Sequence, residues 1–254
     1  MLLIAVSLVG CGNKEEAGDD TAANPLDAAL LTEGKIIFGT SPDYPPYESL
    51  DSQGNLEGFD IEMVKYVVDI LNKQQGTNYV PEFKQMDFST IVSALSATQI
   101  DIGVSCFTYS PERDCIFSTP YLTSKQIIVT REDTGITCAE DLVGKKVAAG
   151  TGTTGAEALV EIIGEENVLC PGDYTIMYQA LQAGQLDAVV SDEAVGLNYV
   201  KEMGLIQCEE PLVLEETSLI IKTGNTTLAD AVNKAIEEFL TTSDYTALKD
   251  KWGL

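Results

Sequence analysis

The chain of 254 residues has no histidine, a single tryptophan and only 15 basic residues against 40 acidic ones. Without histidine, neither a Ser-His-Asp or Cys-His nucleophile pair nor a His-liganded zinc or iron site can be built. HExxH, Walker-type and GxSxG patterns are missing too, which leaves carboxylate, Lys, Tyr or Cys chemistry for any catalysis. The six cysteines, at positions 11, 106, 115, 138, 170 and 208, form no CxxC pair, so neither a structural zinc nor a redox motif is expected and no cofactor is implied. A formal charge of −25 repels phosphate backbones and argues against nucleic acid as a partner. The same acidity serves solubility, and it also attracts cations.

Long apolar runs are scarce as well. Residues 1–9 are almost wholly apolar but fall far short of the ~20 residues a membrane-spanning helix needs. They read as the tail of a signal peptide, although the usual basic start is missing. The step Leu8-Val9-Gly10-Cys11 resembles a bacterial lipobox, which implies cleavage before Cys11 and acylation of its sulfur. Residues 1–11 are therefore assigned to signal peptide and lipobox. The Glu/Asp/Ala/Gly/Asn-rich stretch that follows lacks hydrophobic periodicity, so residues 12–32 are expected to be a flexible linker. An acylated Cys11 leaves an odd number of cysteines, hence at least one free thiol or an intermolecular bond.

From Lys35 onward short apolar runs alternate with amphipathic stretches, the pattern of βα units. Ile36-Ile37-Phe38 predicts a strand. Asp60 is expected to cap a helix whose Ile61, Val64, Val68 and Leu71 share one face. A helix over 89–97 and a strand over 100–105 follow. The grammar then restarts, with strands over 126–130, 146–149 and 186–191 and helices over 156–163, 174–183 and 194–203. An extended run through Leu219-Ile220-Ile221 leads to a last helix over 228–240. The expected class is α/β, with two lobes joined by extended segments near 122–128 and 212–220. Residues 33–124 with 218–254 form the first lobe and 125–217 the second. Ligands in such folds sit in the crevice at the C-terminal ends of the strands.

Four strand-end segments stand out in order. They are Gly39-Thr40-Ser41-Pro42-Asp43-Tyr44-Pro45-Pro46-Tyr47-Glu48 with Gly58-Phe59-Asp60; Ser105-Cys106-Phe107-Thr108 with Glu112-Arg113; Gly152-Thr153-Thr154; and Leu186-Asp187-Ala188 running to Ser191-Asp192-Glu193. In this spacing they resemble the polar-amino-acid branch, family 3, of the bacterial solute-binding proteins that serve ABC importers. The resemblance covers nearly everything from Lys35 to Trp252-Gly253. It implies a type II periplasmic-binding-protein-like fold, an extracytoplasmic monomer, closure about a two-segment hinge, a free L-amino acid as ligand and ABC permease subunits as partners. With an acylated Cys11 the membrane partner would be reached through a lipid anchor.

Physical chemistry supplies a task for each segment. A zwitterion needs a cation for its carboxylate and an anion for its ammonium, because an unpaired buried charge costs several kcal/mol. The planar guanidinium of Arg113 suits the carboxylate, the alternative being a surface pair with Glu112 or Asp114. The turn at Thr153 and Thr154 precedes a helix, so its amides either hold an anion or are simply capped. Asp192 suits the ammonium, whereas Asp187 reads as a structural cap. By resemblance, Ser41, Thr108 and the backbone around Cys106 supply polar contacts, and Tyr44 and Phe88 wall the ligand side chain; for both aromatics ordinary core packing is the competing reading. The aspartate of basic-amino-acid binders is absent at Ser41 and the lysine of glutamine binders is absent at Gly150, so arginine or lysine, glutamine and cystine all remain open. Two other readings stand beside transport. One is a dehydratase-like enzyme using Glu193 or Glu48 as general acid. The other is a ligand-sensing domain, which the end of the chain at Leu254 disfavours.

Overall fold

The computed structural model describes Leu26, Leu31 and residues 34–254; Cys11 and almost all of the expected linker lie outside the described residues. Leu26 departs from the linker expectation. It is fully buried in the main core, with Leu31 packed partly against it, because an isolated leucine in a polar stretch gains by covering apolar surface.

One twisted sheet runs through the molecule, and its two halves repeat one plan. In the first half β1 (Lys35–Thr40) pairs in parallel with β4 (Val80–Gln85) and β5 (Ile102–Thr108). The second half places β8 (Val147–Ala148) in parallel between β9 (Val168–Leu169) and β10 (Ala188–Asp192). Two long strands join them. β7 (Leu122–Thr130) and β12 (Val213–Lys222) pair antiparallel with each other, β12 continuing along β5 and β7 along β10. The overall order is β4-β1-β5-β12-β7-β10-β8-β9, with the short β6 (Cys115–Phe117) on β12 and β11 (Ile206–Gln207) on β7. The chain therefore passes from one half to the other along β7 and returns along β12, giving a mixed α/β sheet with the two-lobe, type II arrangement. A small hairpin, β2 (Ser49–Leu50) with β3 (Leu56–Glu57), lies apart from it.

Helices cover the sheet. In the first half these are α1 (Phe59–Gln75), α2 (Phe88–Ser96), α6 (Thr226–Phe239) and α7 (Ser243–Trp252); in the second they are α3 (Thr154–Ile163), α4 (Tyr174–Gln182) and α5 (Glu193–Met203). α1 turns Phe59, Met63, Val64, Val67, Val68 and Leu71 inward, as its spacing predicts, and ends on Gly76 at φ 66°. Asp60 is not its cap. Gly58 holds that position, and Asp60 is buried inside the first turn, where it accepts from Tyr121 Oη at 2.8 Å and the Cys106 amide at 3.1 Å. Strand β4 and helix α7 were not anticipated: β4 is half exposed, and α7 buries only Leu248 completely, so neither shows a clean apolar period. No helix among the described residues is long and apolar enough to cross a membrane. The five cysteines among the described residues are all unbridged.

Candidate functional site

The C-terminal ends of corresponding strands converge on one cleft that encloses about 620 Å³ of empty space, its mouth included. From the first half, the segments after β1, β4 and β5 contribute Ser41, Asp43 and Tyr44, then Asp87, Phe88 and Ser89, then Arg113. From the second half, the segments after β8 and β9 contribute Gly150, Thr151, Thr153 and Thr154, then Gly172 and Tyr174, and the end of β10 contributes Asp192. Gln126, on β7, lies between them.

Arg113 is held on three sides. Its guanidinium carbon lies 5.6 Å from the Phe88 ring centre and 5.3 Å from that of Phe107, and these two rings stack at 4.7 Å. Nη1 donates to the Thr108 carbonyl and Nη2 donates to the Gly152 carbonyl at 2.9 Å, a bond from one half of the molecule to the other. A guanidinium has five N–H donors, so most of the fork remains for a ligand carboxylate. Burial lowers its pKa, opposed by the charges of Glu157 and Glu215. The alternative surface pairing with Glu112 or Asp114 is not formed; Asp114 instead accepts from Thr223 Oγ1 at 2.7 Å.

Facing it is the start of α3. Thr153 occupies the N-cap position, its hydroxyl accepting from the Ala156 amide at 3.2 Å and donating to the Gly150 carbonyl at 2.8 Å. The amides of Thr154 and Gly155 belong to the first turn, which has no intrahelical acceptors, so capping and an anion-binding role coexist here. Gly150 has no room for a side chain: a Cβ there would stand 2.8 Å from the Tyr174 ring, whose hydroxyl accepts from the Gly150 amide at 3.1 Å.

Asp192 ends β10 directly opposite Gln126 of β7, so both side chains project to the same side. Its carboxylate accepts from Tyr44 Oη at 2.6 Å, from Gln126 Nε2 at 3.2 Å and from Ser124 Oγ. Its backbone amide donates back to Tyr44 Oη at 2.9 Å, a second tie between the halves. Burial, with a contribution from Glu215, pushes the Asp192 carboxyl up to about 6. Gln126 Oε1 is buried without a hydrogen-bond partner.

Of the residues singled out in the sequence, Ser41, Tyr44, Phe88, Arg113, Thr153, Thr154 and Asp192 line this cleft together. Cys106 and Thr108 do not. Between Phe107 and Gly103 strand β5 has more residues than the facing stretch of β12, and Cys106 sits in this bulge at φ 50°. The irregularity breaks the simple alternation, so Ser105 reaches the cleft wall while the Cys106 thiol turns to Thr217 Oγ1 at 3.7 Å. Thr108 directs its hydroxyl to Glu215 at 3.1 Å and serves the site only through its carbonyl, which holds Arg113. Tyr174, Asp87 and Gln126 were missed. Tyr174 and Asp87 follow β9 and β4, a two-residue strand and a half-exposed one that leave little pattern to mark their ends. The strand-end rule would have found them had those strands been legible. Asp187 is structural, accepting from the Lys146 amide at 2.8 Å.

Neither acid considered for catalysis lines the cleft. Glu193 pairs with Lys125 at 2.7 Å, and Glu48 is fully buried with Oε1 accepting from Ser105 Oγ at 2.5 Å. Burial and the adjacent Asp60 charge push Glu48 well above the usual carboxyl range.

A small charged cleft between two lobes of this topology, with a guanidinium on one wall and a carboxylate on the other, defines the class of two-lobe solute-binding proteins. Residues 36–254 match the family model of the bacterial extracellular solute-binding proteins, family 3, and the chain belongs to that family. The arginine-binding extracellular protein ArtP of Bacillus subtilis (strain 168) is 29% identical over 256 residues, covering 98% of this chain and 93% of that protein. The L-cystine-binding protein TcyJ of Escherichia coli (strain K12) is 30% identical over 258 residues, covering 99% and 93%. Among solved structures, an ancestral arginine-binding protein bound to arginine superposes with a TM-score of 0.80 at 32% identity, covering 86% of this chain and 98% of that one.

Proposed function

We propose that the protein captures a free amino acid between its lobes outside the cell and hands it to the permease subunits of an ABC importer. The observation that carries this reading is that Arg113 and Asp192, of opposite charge and from opposite halves, line one cleft. The ligand carboxylate lies in the Arg113 fork and against the Thr154 and Gly155 amides, and its ammonium lies at Asp192 and the orphaned Gln126 oxygen. Tyr44, Phe88 and Tyr174 wall the side chain, and Ser41 and Ser105 add polar contacts. Residues 33–124 with 218–254 move as one lobe and 125–217 as the other, bending where β7 and β12 cross. Ligand thus completes a closure already represented by the Tyr44–Asp192 and Arg113–Gly152 contacts. Acylation at Cys11 would keep this monomer at the membrane surface beside its permease.

Binding without turnover fits the site better than dehydratase chemistry, since neither proposed general acid faces the cleft. Titration calorimetry with the common free amino acids tests the reading. At least one should bind with a micromolar or tighter Kd, about −8 kcal/mol or better, and be recovered unchanged. Silence across the whole set, or a chemically altered ligand, would overturn it.

A further inference from the structure

The charges of the cleft do not balance against a plain zwitterion. Arg113 is accompanied on its walls by Asp43, Asp87 and Asp192, and no lysine or second arginine lines it among the described residues. With Arg113 assigned to the carboxylate and Asp192 to the ammonium, Asp43 and Asp87 are left over. The adjoining opening shares Ser41, Asp43, Asp87 and Gly172 with the cleft and adds Asp173, again with no basic lining residue. We infer that the bound amino acid carries a cationic side chain, whose guanidinium or ammonium group lies between Asp43 and Asp87. This inference rests on the amino-acid reading above.

Both carboxylates are available for the purpose. Asp87 stands at the N-cap position of α2 yet makes no capping hydrogen bond, so its carboxylate oxygens are not spent on a helix amide. Asp43 accepts from Ser41 Oγ at 2.7 Å and from the Tyr174 amide at 3.2 Å, neutral donors from opposite lobes that orient the carboxylate without neutralising it. Burial raises the Asp43 pKa, so the group is short of compensating positive charge. Neither acid is within ion-pair distance of Arg113. The rings of Tyr44 and Tyr174, with centres 4.7 Å apart, offer faces for the methylenes that lead to the cation. Glutamine would bring no charge to this end. Cystine would bring a second ammonium together with a second carboxylate, so its far end carries no net positive charge and its carboxylate would find no basic partner among the residues lining this end.

Calorimetry at low salt with L-arginine, L-lysine, L-citrulline and L-glutamine tests the inference, because citrulline has nearly the shape of arginine but a neutral ureido group. Arginine or lysine should bind at least about tenfold more tightly than citrulline and glutamine, as expected for a charge-assisted contact. Asp43→Asn and Asp87→Asn should each reduce that preference about threefold or more; the Asp87 variant alters an exposed side chain and keeps the test valid if the Asp43 variant is poorly folded. Tight binding of glutamine or citrulline equal to that of arginine would overturn the cationic assignment and leave the amino-acid reading standing. So would a preference for arginine that survives both substitutions. Absence of binding by all four, joined by silence from the other amino acids, would remove both.

Discussion

In the first half of the molecule the strand after α2, β5, leads into the loop that carries Arg113; in the second half its counterpart β10 ends on Asp192. The surroundings of the two charges differ as much as their signs. Arg113 lies against a stacked pair of aromatic rings and donates to backbone carbonyls, whereas Asp192 collects hydroxyl and amide donors inside the sheet junction. The two halves also differ in solidity: β1 and β4 pair over six residues, while β8 and β9 pair over two. One plan, used twice, thus yields a more extensively paired half that offers a cation and a slighter half that offers an anion and a helix start. Neither half alone can satisfy both ends of a zwitterion, so tight binding requires that they meet.

The hardest test of this division is to remove each charge in turn. Arg113→Ala and Asp192→Ala should each weaken amino-acid binding by about 3 kcal/mol, on the order of a hundredfold or more by calorimetry. If only one of the two mattered, the symmetry of roles would fail.

Acidity should act on the second half in two opposite ways. With its carboxyl raised to about 6, Asp192 holds a proton more firmly in the folded than in the unfolded chain. The stability this gives the unliganded protein is complete below about pH 4 and is lost as pH rises through about 6, an effect on the order of 2 kcal/mol by denaturant titration. Buried Glu48 and Asp60 in the first half, raised in the same direction, add to the trend. Ligand affinity should move the other way, weakening as pH falls through about 6, because the ammonium needs the ionised carboxylate.

Closer packing distinguishes the halves next. A Cβ on Gly155 would come within 2.6 Å of Gln126 Oε1, so Gly155→Ala should displace Gln126 from Asp192 and weaken binding about tenfold. The smallest effect is expected on the aromatic side. Phe88→Leu keeps the wall apolar but removes one face from Arg113, a loss of about 0.5–1 kcal/mol that calorimetry would read as a few-fold weaker Kd.

Much of this plan was legible before any coordinates. The apolar face of α1 and the joining segments at β7 and β12 followed from residue type and spacing, and the pairing of Arg113 with Asp192 as candidates followed from charge chemistry together with the family resemblance of the strand-end segments. Short or half-exposed strands were not legible, since β9 and β4 carry too little periodic signal, and with them went Tyr174 and Asp87. Cys106 and Thr108 were misplaced because an irregular β5 re-aims side chains that a regular alternation would have sent to the cleft.

The sequence by itself determined the α/β alternation, the absence of histidine chemistry and the stock of charges, because these depend on composition and on patterns within a few residues. Tertiary structure alone decided which carboxylates share the cleft, that Gln126 is left with an unpartnered oxygen and that Tyr44 reaches across to Asp192. Those facts join residues as many as 148 positions apart, and only the packing of one half against the other sets their distances.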